Sequence, residues 1–137
     1  MVDPDRQRAV LRELAVASEA SRAAISLQWA ALHRDAMSRL YHAAHHWACA
    51  LLAAEGIQVR GRRRLRELFA VHCVAGGRIE SKHLETLARL DTWRKAADYE
   101  PAFEIRPELF EEEIERASEL EQRVVELLRE AGYEINA

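Results

Sequence analysis

From Met37 to Ala54 the chain mixes apolar and small residues so thoroughly that a helix drawn through it has no fully solvated face. At ~100° per residue, Met37, Leu40, Tyr41, Ala44, Ala48, Leu51 and Leu52 gather on one side, a face made for a core. Arg39 and His46 fall on the opposite side, two turns apart on one stripe. Around them stand Ala36, Ala43, Ala50 and Ala53, where a solvated face would carry Glu, Lys or Gln. A helix that is apolar on one side and lined by small residues on the other is buried on both. In so small a bundle the second side most simply meets another copy of the chain. The expectation is therefore a homodimer, with Ala43 and Ala50 in the contact and Arg39 and His46 in or beside the cleft.

The rest of the chain reads as helix with little competition. It holds 24 Ala, 18 Arg and 18 Glu against 5 Gly and 3 Pro, which leaves little turn chemistry for a multi-stranded sheet. Asp3-Pro4 starts a first helix that runs to about Trp29. A break near Ala30–His33 follows without a Gly or Pro to mark it. The second helix spans about Arg34 to Ala54 and stops at Gly56. A third begins near Gly61 and ends at Gly76-Gly77. Its residues Leu65, Leu68, Phe69, His72 and Cys73 form an apolar stripe, which predicts His72 as a core histidine. A fourth runs from after Ser81 to about Tyr99, with Arg94 and Asp98 spaced to pair. After a loop from Pro101, Pro107 opens a fifth. The architecture expected over residues 1–137 is one all-α domain, an up-and-down bundle of four to five helices.

The net charge of −3 conceals an asymmetry. Residues 1–99 carry 14 Arg and 2 Lys against 11 acids, and residues 100–137 carry 4 Arg against 12 Glu. Arg60, Arg62, Arg63, Arg64 and Arg66 concentrate the basic share within seven residues, a cluster that attracts phosphate or is a solvated segment. No apolar run reaches the ~20 residues of a membrane span, and Met1-Val2-Asp3-Pro4 lacks a secretion pattern. Two separated cysteines outside a CxxC motif fit free thiols and a cytoplasmic location. Phosphate loops, dinucleotide fingerprints, HExxH and nucleophile elbows are absent from the sequence.

The run Ser38-Arg39-Leu40-Tyr41-His42-Ala43-Ala44-His45-His46, followed by a helix end at Leu51-Leu52, resembles the second helix of the short bacterial HEPN family. That family has an Arg and a His separated by four to six residues. Here six residues separate Arg39 from His46, and His45 is the five-residue alternative. Gly56-Ile57, Phe69 with Val74 and Gly77, Arg94-x-x-Ala97-Asp98-Tyr99, and the Phe103-Glu104 loop match in order. The resemblance spans about residues 8–130. It implies a dimeric helical bundle acting as a metal-independent endoribonuclease, the toxin of a toxin–antitoxin or phage-defence pair. Its catalytic residues would be Arg39 and His46, supported by His45, His42 and Tyr41. The implied partners are RNA and a minimal nucleotidyltransferase acting as antitoxin. An imidazole can take the 2′-OH proton or donate one to the leaving 5′-oxygen, and a guanidinium grips phosphate oxygens in a fork. The basic segment Arg60–Arg66 would guide the RNA backbone.

A second class stays open: a catalytically inactive HEPN module that binds a nucleotidyltransferase or a defence complex. His42, His45, His46 and Cys49 also have helical metal-ligand spacing. No CxxC or HxH elsewhere supplies a second segment, so neither a metal nor another cofactor is expected. Trp29, Trp47 and Trp93 are expected in boundary packing.

Overall fold

Alanine decides how these helices stack. A computed structural model describes residues 2–136 as five α-helices and one π-helical segment, with no strand among the described residues. Helix α1 spans Pro4–Trp29 and α2 spans His33–Ala53. Helix α3 covers Arg62–Leu68 and continues directly into a π-helical stretch, Phe69–Val74. Helices α4 (Lys82–Tyr99) and α5 (Pro107–Glu130) complete the bundle. Among the described residues, no helix is long and apolar enough to cross a membrane.

Helix α2 is the axis of the molecule: it touches every other helix, and 13 of its 21 residues are buried. Met37, Leu40, Tyr41, Ala44, Ala48, Leu51 and Leu52 all lie inside, as the wheel predicts. Their partners include Leu87, Leu90, Phe110, Leu120, Val124 and Leu128 of α4 and α5.

The alanine face requires a correction. Ala36, Ala43 and Ala50 are fully buried within this one chain. The element that covers them is α1, which lies antiparallel along α2 and contributes the equally buried Val10, Ala17, Ala20 and Ala24. Small side chains on both helices permit the close axial approach that such packing needs. Ala43 and Ala50 therefore join α1 to α2 and are not available to a second copy.

The unmarked break between α1 and α2 has its own explanation. Ala31 adopts φ 63°, and the N–H groups of Ala31 and Leu32 bond the carbonyls of Gln28 and Leu27. This is a helix-ending Schellman turn with alanine where glycine is usual. After α2 the same device recurs with Gly56 at φ 77°. Arg34, in the first turn of α2, donates from its guanidinium to the carbonyls of Glu100 (2.9 Å), Phe103 (2.7 Å) and Ala97. It thereby satisfies the open C-terminus of α4.

The third helix departs from its predicted period at Phe69. There the backbone shifts to i→i+5 bonding, with Ala75 N–H on Ala70 C=O at 2.8 Å. The wider turn brings Cys73 under Phe69, both fully buried, and swings His72 outward, where it is exposed. His72 is thus not a core residue. Trp47 is buried and Trp93 partly so, whereas Trp29 is 86% exposed and does not pack as expected.

Candidate functional site

Helix α2 leaves one narrow stripe partly open: Ser38, Arg39, His42, His45 and His46 are all half-buried. Their spacing follows the helical period, so they line one edge of the helix beside α1. His46 is fixed across that edge. Its Nδ1 lies 2.6 Å from Glu13 Oε2 of α1, with side chains 20% and 30% exposed. This contact spans 33 positions of sequence, and no periodicity within α2 announces Glu13. A carboxylate on Nδ1 orients the ring and fixes the proton there, leaving Nε2 as the working nitrogen.

The other imidazoles crowd this pair. The His42 ring stands edge-on to His46 at 4.6 Å between centroids, and His45 does so at 5.1 Å. Burial, then His46 and Arg39, hold His42 below the ordinary imidazole range. Burial, then His46 and His42, push His45 down to about 4. Both are neutral imidazoles at pH 7. The influence of Arg39 on His42 links the arginine to the histidine group.

Beneath the stripe, a charge network on α4 and α3 reaches α2 through Ser38 and Tyr41. Buried Asp91 accepts from Arg94 Nη2 at 3.0 Å and lies 3.3 Å from Arg66 and 3.4 Å from Lys95. Burial alone would raise the Asp91 carboxyl, but Arg94, Lys95 and Arg66 outweigh it and hold it below its ordinary range. Arg94 also bonds Asp98 at 3.0 Å, the predicted i,i+4 pair, and Asp98 accepts from Ser38 Oγ at 2.7 Å. The Arg94 guanidinium lies over the Tyr41 ring, 5.4 Å from its centroid. Burial and then Asp91 push the Tyr41 phenol up to about 12, so it packs and carries no proton traffic near neutrality.

With an arginine and a paired histidine on one half-buried edge of a central helix, the family match becomes interpretable. A HEPN domain model matches residues 13–131, from Glu13 to just past the end of α5. The chain belongs to the HEPN domain family. No curated protein is significantly similar to it.

In this HEPN domain the basic segment flanks the site. Arg60, Arg62, Arg63 and Arg64 are exposed, and Arg62 bears electrostatically on both Tyr41 and His45. Arg66 is different, because its guanidinium is drawn to Asp91, and Arg64 pairs with Glu67 at 3.5 Å. Beside Arg62 runs a shallow groove lined by Lys95 and by the aromatic rings of Trp93, Tyr99 and Phe103. Tyr99 is 72% exposed, whereas Trp93 and Phe103 stack on each other at 5.8 Å. Glu13 is the residue that the sequence leaves unassigned, and Cys49 enters there only through its helical spacing from the histidines. An oxygen of Glu13, an imidazole nitrogen of His46 and Cys49 Sγ all lie within 4.8 Å of one another.

Proposed function

We propose that this HEPN domain is an endoribonuclease that cleaves RNA without a metal ion, with Arg39 and His46 as its catalytic residues. The observation that carries this reading is the 2.6 Å contact of Glu13 with His46 Nδ1 on the stripe that also bears Arg39. A HEPN domain is compatible with a nuclease or an RNA-binding module. A carboxylate-held histidine on the same stripe as an arginine, two turns away, favours the nuclease.

With Nδ1–H given to Glu13, Nε2 of His46 accepts the proton of a ribose 2′-OH. The 2′-oxygen attacks the adjacent phosphorus, and the bond from phosphorus to the 5′-oxygen breaks. Arg39 holds the phosphate oxygens and stabilises the charge that grows on them. A protonated His46 from a second copy supplies the proton to the departing 5′-oxygen. The products are a 2′,3′-cyclic phosphate and a 5′-hydroxyl. Because α1 covers the alanine face, the dimer contact belongs at the open stripe of Ser38, Arg39, His42 and His46. The groove with Lys95 and Tyr99 offers a stacking platform for an unpaired base, and Arg60, Arg62 and Arg63 hold the backbone leading to it. The biological setting that fits is a cytoplasmic toxin or phage-defence effector, restrained by a minimal nucleotidyltransferase that masks this stripe.

The test is cleavage of total RNA by wild type, Arg39→Ala and His46→Ala in EDTA, with the fold checked by circular dichroism. Wild type should cleave, and each variant should lose ~10²-fold or more in rate while remaining helical. Cleavage by His46→Ala at the wild-type rate would remove the basis of this reading. Tight binding of a partner protein with no cleavage by wild type would favour the inactive interaction module.

A further inference from the structure

Within α2 the spacing of His46 and Cys49 presents metal ligands from one helix only, and a metal site needs a second element to close around the ion. The fold supplies that element. Glu13 comes from α1, and its carboxylate, the His46 imidazole and the Cys49 thiol converge to within 4.8 Å. We infer that Glu13, His46 and Cys49 bind a single transition-metal ion of the zinc class, and that this ion holds the nuclease off by occupying His46.

Ligand chemistry selects the class. A thiolate, an imidazole and a carboxylate form a mixed soft and borderline set that suits Zn²⁺, whereas Mg²⁺ and Ca²⁺ demand oxygen. Ligands sharing a tetrahedral zinc stand roughly 3.3–3.6 Å apart, from the usual ~2.0–2.3 Å bond lengths. Reaching that geometry requires Glu13 and His46 to open from 2.6 Å and Cys49 to close in. Side-chain rotations of about an ångström accomplish both. The thiol proton leaves to solvent, and the proton on His46 Nδ1 passes to Nε2 as Nδ1 takes the metal, so that Nε2 can no longer accept from a 2′-OH. Three protein ligands leave the fourth position to water. Glu13 and His46 are partly exposed and provide the entry path, whereas Cys49 forms the buried floor.

The binding site stands on geometry alone; the inhibition rests on the reading of His46 as a catalytic residue. The experiment separates the two. The full chain, freed of chelator, is titrated with Co²⁺ and followed by absorption, and RNA cleavage is measured with and without Zn²⁺. Expected is one Co²⁺ per chain with a thiolate charge-transfer band and tetrahedral ligand-field bands, displaced by Zn²⁺. The band should persist in Cys73→Ser and vanish in Cys49→Ala and Cys49→Ser, with affinity at least about tenfold weaker. Zn²⁺ should suppress cleavage by wild type, EDTA should restore it, and Cys49→Ala should cleave normally while resisting Zn²⁺. A wild-type complex without the thiolate band overturns the site, as does equal Co²⁺ affinity in Cys49→Ala. A thiolate–Co²⁺ complex in a chain that cleaves no RNA leaves the site standing and removes the catalytic reading. Unchanged cleavage with the metal bound overturns the inhibition.

Discussion

At the scale of single residues, Glu13 holds the proposed site together. Its carboxylate touches His46 and no proposed substrate atom, so its part is to hold the ring in place. Glu13→Gln keeps the side chain's size and an oxygen acceptor but removes the charge. It should lower kcat of RNA cleavage by roughly 10- to 100-fold and leave KM and the melting temperature close to wild type. A loss confined to KM or to stability would mean that Glu13 only packs α1 on α2. Arg39 and His46 were legible from the sequence because they share one helix, where a period of ~3.6 residues puts them on one stripe. Glu13 was not, since its place depends on how α1 lies across α2. The same dependence misled the reading of Ala43 and Ala50. Their small size correctly marks a helix–helix contact, but small size does not say whose helix makes it.

At the scale of elements, helix existence was readable nearly throughout, and the deviations occur where local chemistry is atypical. Ala31 at φ 63° closes α1 in a conformation that disfavours a side chain by about 1 kcal/mol. Ala31→Gly should therefore raise stability by ~0.5–1 kcal/mol in urea denaturation, against the usual trend for Gly in helical proteins. A loss of stability would show that the turn holds Ala31 without strain. The π-helical stretch from Phe69 is the other exception. Apolar spacing of three and four residues is compatible with both α and π bonding until Cys73 has to meet the core beneath Phe69. Nothing in the sequence of residues 69–74 marks that change of register.

At the scale of the molecule, the acidic fifth helix is answered by cations only in part. Glu113, fully buried, accepts from Arg89 at 2.7 Å and Arg116 at 3.0 Å, and Lys82 lies 3.4 Å from Glu119. Exposed Arg60, Arg62 and Arg63 keep their charge for solvent or phosphate, although the net charge is −3. Stability should fall in mild acid for a specific reason. His83 is 2% exposed at the start of α4, and burial, then Lys82, depress its pKa against the opposing pull of Glu80 and Glu119. Above the ordinary value of ~6.5 the folded and unfolded chains both carry it neutral. As pH falls below that, the unfolded chain takes up a proton that the folded chain refuses, so stability declines until the depressed pKa is passed. His83→Leu should flatten part of the change in urea midpoint between pH 7 and pH 5, the rest coming from His42 and His45, and an unchanged slope would leave the acid sensitivity to those two. Proton-transfer cleavage of RNA at the open stripe of α2 would be reported directly by the ends of its products. Mass spectrometry of an oligoribonucleotide cleaved by wild type in EDTA should find 2′,3′-cyclic phosphate and 5′-hydroxyl ends, with a 2′-deoxy substitution at the cut site blocking cleavage. Products ending in 3′-hydroxyl and 5′-phosphate, or cleavage that ignores the 2′-deoxy substitution, would contradict it.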